Sequence, residues 1–308
     1  MIILEYLNDP DLAVSLVWRP AVIGLALVLL CAVLSVLVVL KRLAFVGQGI
    51  SHSAFGGVGV AAVLAVLAQV WGLGDLLAAD GSGAAWIEFV IVLLFCIAAA
   101  VLMASVSDRK AVHIDTGIGL FLVASMALGG VLVEVARQAA AARGLPTSSR
   151  TWESILFGSI SGASWTDAAV AWGVAIGVAL TLWLLRRPLL FWSFDETSAE
   201  AFGVRTRLMR ATLMVLLAVA VVTSMRLAGV VPATALLVLP GAIALRLSSR
   251  MGRVLVLACA AGVAGLLVGL WASLQFDVQL GNCIVLALTA GFALAALWNR
   301  GGSTGRGL

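Results

Sequence analysis

Residues 21–40 form a run of twenty apolar or small side chains with no charge and a single hydroxyl, Ser35. Few folds accept such a run. At a rise of 1.5 Å per residue, about 20 apolar residues span the roughly 30 Å hydrocarbon core of a bilayer, and a backbone in lipid must satisfy its own hydrogen bonds as a helix or a closed barrel. Barrel strands alternate in polarity over about ten residues, and this run does not. The pattern recurs: apolar runs at 21–40, 43–73, 87–106, 115–136, 168–185, 211–229, 232–247, 254–274 and 283–298 predict nine spans. The second is long for one straight crossing, and the seventh is short and holds Pro232 and Pro240, so eight spans plus a re-entrant piece is the alternative. The expected fold class is all-α, a polytopic transmembrane helical bundle. It reads as one membrane domain over residues 1–300, followed by a Gly- and Arg-rich tail, 301–308, expected to be disordered.

Composition supports lipid as the main solvent, since 63% of residues are hydrophobic and 11% charged, against about 45–50% and about 25% in soluble domains. The first twenty residues carry Glu5, Asp9 and Asp11 and no basic stretch ahead of a short apolar one, so they do not read as a cleaved signal. Cys31, Cys96, Cys259 and Cys283 all fall in apolar runs, without Cys-x-x-Cys spacing, and read as packing residues. The formal charge of +4 comes from basic residues dispersed along loops, which argues against a nucleic-acid partner.

The dispersal reports topology instead. With nine spans, Lys41, Arg42, Arg109, Lys110, Arg186, Arg187, Arg205, Arg207, Arg210, Arg246, Arg250, Arg253, Arg300 and Arg306 share one side, and only Arg19, Arg137, Arg143, Arg150 and Arg226 take the other. The positive-inside rule then places the N-terminus outside and the C-terminus in the cytoplasm of an inner-membrane, multi-pass protein. Two loops are long: an outer one at 137–167, amphipathic around 152–165, and an inner one at 186–210.

The second span opens with a polar, glycine-rich passage through Gly47, Gln48, Gly49, Ser51, His52, Ser53, Gly56 and Gly57. His52 lies about 15 Å along a helix beginning near Leu43, which is close to the bilayer midplane. Gln48 and His52 are four apart and share a face, while Gly49, Ser53, Gly57 and Ala61 form a small-residue stripe suited to close helix packing. Two readings stand for the polar pair. It either hydrogen-bonds neighbouring helices, as polar side chains in bundles do, or it lines a substrate path, where imidazole is a common ligand for zinc and related ions. One copy supplies too few ligands, and two copies about a twofold axis would supply two imidazoles and two amides.

The inner loop holds Ser193-Phe194-Asp195-Glu196-Thr197-Ser198-Ala199-Glu200-Ala201-Phe202-Gly203. Ser193 or Asp195 can cap a short helix there and Gly203 can stop it. It reads either as a solvated connector or as a docking helix with Phe194 and Phe202 as apolar anchors. Neither lysine of the chain, Lys41 or Lys110, lies in a phosphate-binding loop, so ATP is not expected to bind this chain. Glu88, Asp115 and Glu134 fall near span ends, which disfavours a midplane proton relay; Glu134 and Arg226 are expected at the outer interface, with a gate pairing as the alternative. His113 reads as a solvated loop residue.

Taken in order along residues 25–297, five passages resemble the permease subunits of ABC importers for zinc, manganese and iron. They are 47–57, Asp115-Thr116-Gly117-Ile118-Gly119, Leu156-Phe157-Gly158-Ser159-Ile160, 194–203, and 228–241 with Pro232 and Pro240. The resemblance implies an ABC importer permease fold that works as a transport subunit rather than an enzyme. It further implies a second permease copy, a cytoplasmic ABC ATPase on a separate chain that hydrolyses the ATP, and an external metal-binding protein. It implies as well no permanently bound cofactor and a divalent metal ion as the transported species. The inner loop then looks like the coupling helix, with Phe194, Asp195, Glu196, Ala199, Phe202 and Gly203 facing the ATPase. The family motif Gly-Asp-x-x-Ser-His aligns with Ser51 and His52, and Gln48 stands where the family carries Asp. An amide retains an oxygen ligand but removes one negative charge, which disfavours Mn²⁺ more than Zn²⁺. The rival classes are a secondary transporter and a non-transporting membrane scaffold or sensor.

Overall fold

Each apolar run folds as a helix because lipid leaves the backbone no other partner than itself. The computed structural model describes residues 14–72, 82–107, 114–144 and 163–301. A π-helical turn, Val14–Trp18, leads into α1 (Arg19–Leu40), followed by α2 (Ala44–Val70), α3 (Ser82–Ser107) and α4 (Ile114–Ala141). Next come α5 (Trp165–Leu184), two short helices α6 (Arg186–Phe194) and α7 (Glu196–Ala201), and α8 (Thr206–Ala228). The chain continues through α9 (Val230–Leu236), α10 (Leu239–Leu247), α11 (Met251–Phe276) and α12 (Leu280–Gly301). Among the described residues there are nine segments long and apolar enough to cross a membrane, counting α9 and α10 as one, and no strand.

Several boundaries differ from the sequence expectation, each for a local reason. Helix α1 begins before residue 21 because Pro20 occupies the first turn, where its missing N–H is not needed. The 43–73 run is a single 27-residue helix, α2, about 40 Å long, so it exceeds the hydrocarbon thickness without breaking. Helix α5 starts at Trp165 because Ser164 and Asp167 close a capping box, each side chain bonding the other's backbone N–H. The seventh span is discontinuous. Pro240 cannot donate to the carbonyl of Leu236, and the helix stops there and restarts at Leu239, while Gly229 at φ 96° turns the chain out of α8 into α9. The amphipathic stretch expected at 152–165 lies almost wholly outside the described residues, as do His113 and residues 302–308 of the tail.

Two compact units make up the chain. In the first, α1 is the central element and packs against α5, α9, α10 and α11, with α12 on α10 and α11. Ala32, Val36, Ala244, Val254 and Ala258 form its core, and small residues let backbones approach: a Cβ on Gly241 would meet the Ser35 carbonyl, and one on Gly262 would stand 2.6 Å from Val28 Cγ1. Close approach of this kind is how helices associate where lipid removes the hydrophobic drive. The second unit holds α2, α3, α4 and the middle of α8, residues 210–222. Cys31 and Cys96 are buried and unbridged, Cys31 meeting Ser224 Oγ at 3.4 Å and Cys96 directed at the Ile50 carbonyl.

Candidate functional site

The polar passage of the second span divides around the axis of α2. Gly49, Ser53, Gly57 and Ala61 are buried on its packing side. A Cβ on Gly49 would stand 2.8 Å from Ile118 Cγ2, and one on Gly57 2.9 Å from Val92 Cα. Ser53 donates to the Gly49 carbonyl at 2.8 Å and accepts from Ser125 at 3.4 Å. Gly56 and Gly59 join this surface, against Phe95 and against the Gly129 backbone, although the four-residue stripe read from the sequence leaves them out. Their signal was present as a three-residue spacing, 56 to 59, beside the four-residue one.

Gln48 and His52 lie on the other side. Their side-chain nitrogens are 2.9 Å apart and the pair is partly buried. In this arrangement the amide N–H donates to His52 Nε2, so the ring proton sits on Nδ1; turned end for end, the amide oxygen accepts from Nε2–H and leaves Nδ1 a lone pair. In either state Nδ1 is a buried polar atom without a partner among the described residues. Leaving such an atom unpaired costs about 1–3 kcal/mol. The ring is stacked on Phe55, centroids 5.8 Å apart, which holds its plane. His52 stands about 12 Å from the start of α2, within the first third of this roughly 40 Å helix and not at its middle, because α2 runs well past the length of a single hydrocarbon crossing. Ser51 is not part of this pair: it is fully buried, and its hydroxyl donates to the Gly47 carbonyl at 2.7 Å. It lies about 100° around the helix from His52. Among the described residues no group of three or more His, Cys, Asp or Glu converges to hold a metal ion.

In the first unit, segment 186–210 contains more helix than a single capped turn. Arg186–Phe194 is helical, with Pro188 tolerated in its first turn and Leu189, Trp192 and Ser193 buried. Asp195, rather than Ser193, is the cap of α7: its carboxylate accepts from Ser198 N at 3.0 Å and from the Ser198 hydroxyl. Those bonds from Ser198 hold the Asp195 carboxyl below the usual carboxylate range. Gly203, at φ 82°, ends the helix as expected, with Val204 N bonding the Ala199 carbonyl at 2.9 Å and Gly203 N the Glu200 carbonyl at 3.0 Å. Ala199 is fully buried beneath the turn. Phe194 and Phe202 are 67% and 80% exposed, so both proposed anchors are open, and the Phe202 ring leans on Phe191 at 5.8 Å. Glu196 bonds Lys41 at 3.4 Å. Glu134 pairs within its own helix with Arg137 at 2.8 Å, and Arg226 at the end of α8 pairs with Asp167 at the start of α5 at 3.2 Å.

A sequence profile of the ABC 3 transport family matches residues 14–299. The chain belongs to that family. ABC 3 relatives align along nearly the whole length. The manganese transport system membrane protein MntC of Halalkalibacterium halodurans is 30% identical over 292 residues, 95% of this chain and 90% of the relative. The manganese transport system membrane protein MntB of Synechocystis sp. is 30% identical over 289 residues, 93% and 83%. Among solved structures, PsaBC from Streptococcus pneumoniae in complex with Fab superposes with a TM-score of 0.71 at 24% identity, covering 95% of each chain, which establishes the shared fold. This ABC 3 chain is therefore a multi-pass helical membrane protein with the architecture of ABC importer permeases.

Proposed function

We propose that this ABC 3 family chain is the membrane-spanning permease of an ATP-driven importer that moves divalent transition-metal ions into the cytoplasm. The observation that carries the metal reading is the Gln48–His52 pair, a polar face on α2 whose imidazole keeps one buried nitrogen without a partner among the described residues. Imidazole with an amide oxygen suits zinc or manganese in transit, and two copies of the chain would complete a loose coordination sphere. Relatives at 30% identity that carry manganese in their names support that ion; the loss of a carboxylate at Gln48 favours zinc, and iron is the remaining member of the class. Ser51 is set apart from the ion path because it is fully buried on another face of α2, about 100° around the helix from His52.

ATP hydrolysis belongs to a separate ABC ATPase, which docks on α6 and α7 through exposed Phe194 and Phe202. An external metal-binding protein delivers the ion on the opposite face. The excess of basic residues on one set of loops supports an N-terminus outside and residues 186–210 inside. The deciding experiment reconstitutes the chain with its ATPase in vesicles and follows Mn²⁺ and Zn²⁺ uptake. Uptake that requires ATP and is lost in His52→Ala at matched protein levels is the expected result. Uptake driven by an ion gradient without ATP would replace the proposal with a secondary transporter.

A further inference from the structure

One ammonium group joins three elements of the first unit. Lys41 caps the C-terminal end of α1, and the turn that follows is tightly specified: Leu43 N bonds the Val38 carbonyl at 2.8 Å and Arg42 N the Val39 carbonyl at 3.1 Å. This is the paired-bond helix stop that normally takes glycine, yet Arg42 adopts φ 57° there. The strained turn fixes the direction in which Lys41 leaves α1. Its Nζ stands 3.9 Å from the ring centroid of Trp192 on α6 and 3.4 Å from Glu196 Oε2 in the first turn of α7. Lys41 is only 14% exposed. Trp192 is fully buried, and its indole N–H has no partner among the described residues, so the face of the ring rather than its donor meets Lys41.

We infer that Lys41 is a positioning residue that locks α6 and α7 to the end of α1, so that the docking segment and the central helix of its unit move as one piece. The inference rests on the docking role proposed for that segment. An ammonium held between a buried aromatic face and a half-exposed carboxylate is attracted from two sides, and the attraction weakens if either partner moves away. Helix α7 packs on α6, α6 packs on α1 and α5, and α1 packs against α5, α9, α10 and α11; Lys41 adds to this packing a direct, charge-held link from α7 to the end of α1.

The test uses the full chain assembled with its ATPase in nanodiscs, with Lys41→Met, Lys41→Arg and Glu196→Gln. Hydrogen exchange at the amides of residues 196–202 is read in each, with and without the ATPase, together with the stimulation of ATP hydrolysis by metal-loaded binding protein. Lys41→Met keeps the aliphatic stem and removes the charge, and should speed exchange about tenfold and abolish stimulation while the ATPase stays bound. Glu196→Gln removes one partner and should show several-fold faster exchange. Lys41→Arg, whose guanidinium also stacks and pairs, should restore both readouts towards wild type. Exchange within twofold of wild type in both Lys41→Met and Glu196→Gln would overturn the inference. The exchange arm without ATPase judges the lock by itself, whereas failure of the wild-type chain to bind the ATPase would remove the docking reading alone.

Discussion

Phe202→Asp is the substitution whose effect the structure sizes most directly. A phenylalanine carries about 150–250 Å² of surface, and Phe202 is 80% exposed. Burying the remaining roughly 160 Å² against a partner, at about 25 cal/mol per Å², corresponds to about 4 kcal/mol as an upper figure. Interface anchors measured by truncation lose about 2–4 kcal/mol, so ATPase affinity should fall by about 30-fold to 1,000-fold. The fold should lose much less. Gly203 makes the turn and Asp195 makes the cap, so Phe202 contributes to its own chain mainly through the Phe191 ring, a contact worth about 0.5–1.5 kcal/mol. The assay is titration of labelled ATPase onto nanodisc-embedded permease, with thermal stability measured alongside. An affinity within threefold of wild type would show that Phe202 is no anchor and would refute the docking of α7.

Further expectations attach to the other named residues. His52→Ala should abolish metal uptake at normal membrane abundance, whereas a residue that only glues helices would cost about 0.6 kcal/mol and lower abundance instead; vesicle uptake with quantified protein separates the two. Gln48→Asp should raise Mn²⁺ transport relative to Zn²⁺, because a carboxylate adds charge and hard oxygen to the path, and an unchanged ratio in competition uptake would remove Gln48 from it. Gly59→Ala would place a Cβ 2.9 Å from Gly129 Cα and its carbonyl oxygen, contacts with backbone that cannot turn aside, so it should destabilise by about 1–3 kcal/mol. Gly173→Ala meets nothing within 4 Å and should be neutral or stabilise by about 0.5–1 kcal/mol, both read as shifts in thermal stability of the solubilised protein. Ser198→Cys should react with an impermeant thiol reagent only in inside-out vesicles, and labelling from outside would reverse the proposed topology.

Much of this architecture was legible because its signals are local. Twenty apolar residues without a charge specify a crossing wherever they occur, and Gln48 and His52 share a face by helical period alone. A capped turn stopped by Gly203 was written in a short window, although the sequence left Ser193 and Asp195 both open as the cap. The break between α9 and α10 was announced by Pro232 and Pro240, although not whether the two pieces would form a broken span or a re-entrant loop.

Tertiary structure decided what periodicity leaves open. Spans such as α1 are apolar on every side, so the sequence does not say which face turns toward which neighbour. The 27-residue α2 carries small residues at 49, 53, 56, 57, 59 and 61, and only the neighbouring backbones of Val92 and Gly129 show which glycines are needed for close approach. Ser51 looked like a companion of His52 until its hydroxyl was seen bonded to Gly47. The meeting of Lys41 with Glu196 joins residues 155 apart in the chain, and neither side of it carries a pattern that points to the other. Hydropathy and helical period therefore determined which segments are long and apolar enough to cross a membrane and which residues share a polar face. The rotation of each helix about its own axis, on which every contact between distant residues depends, was settled only when the helices packed.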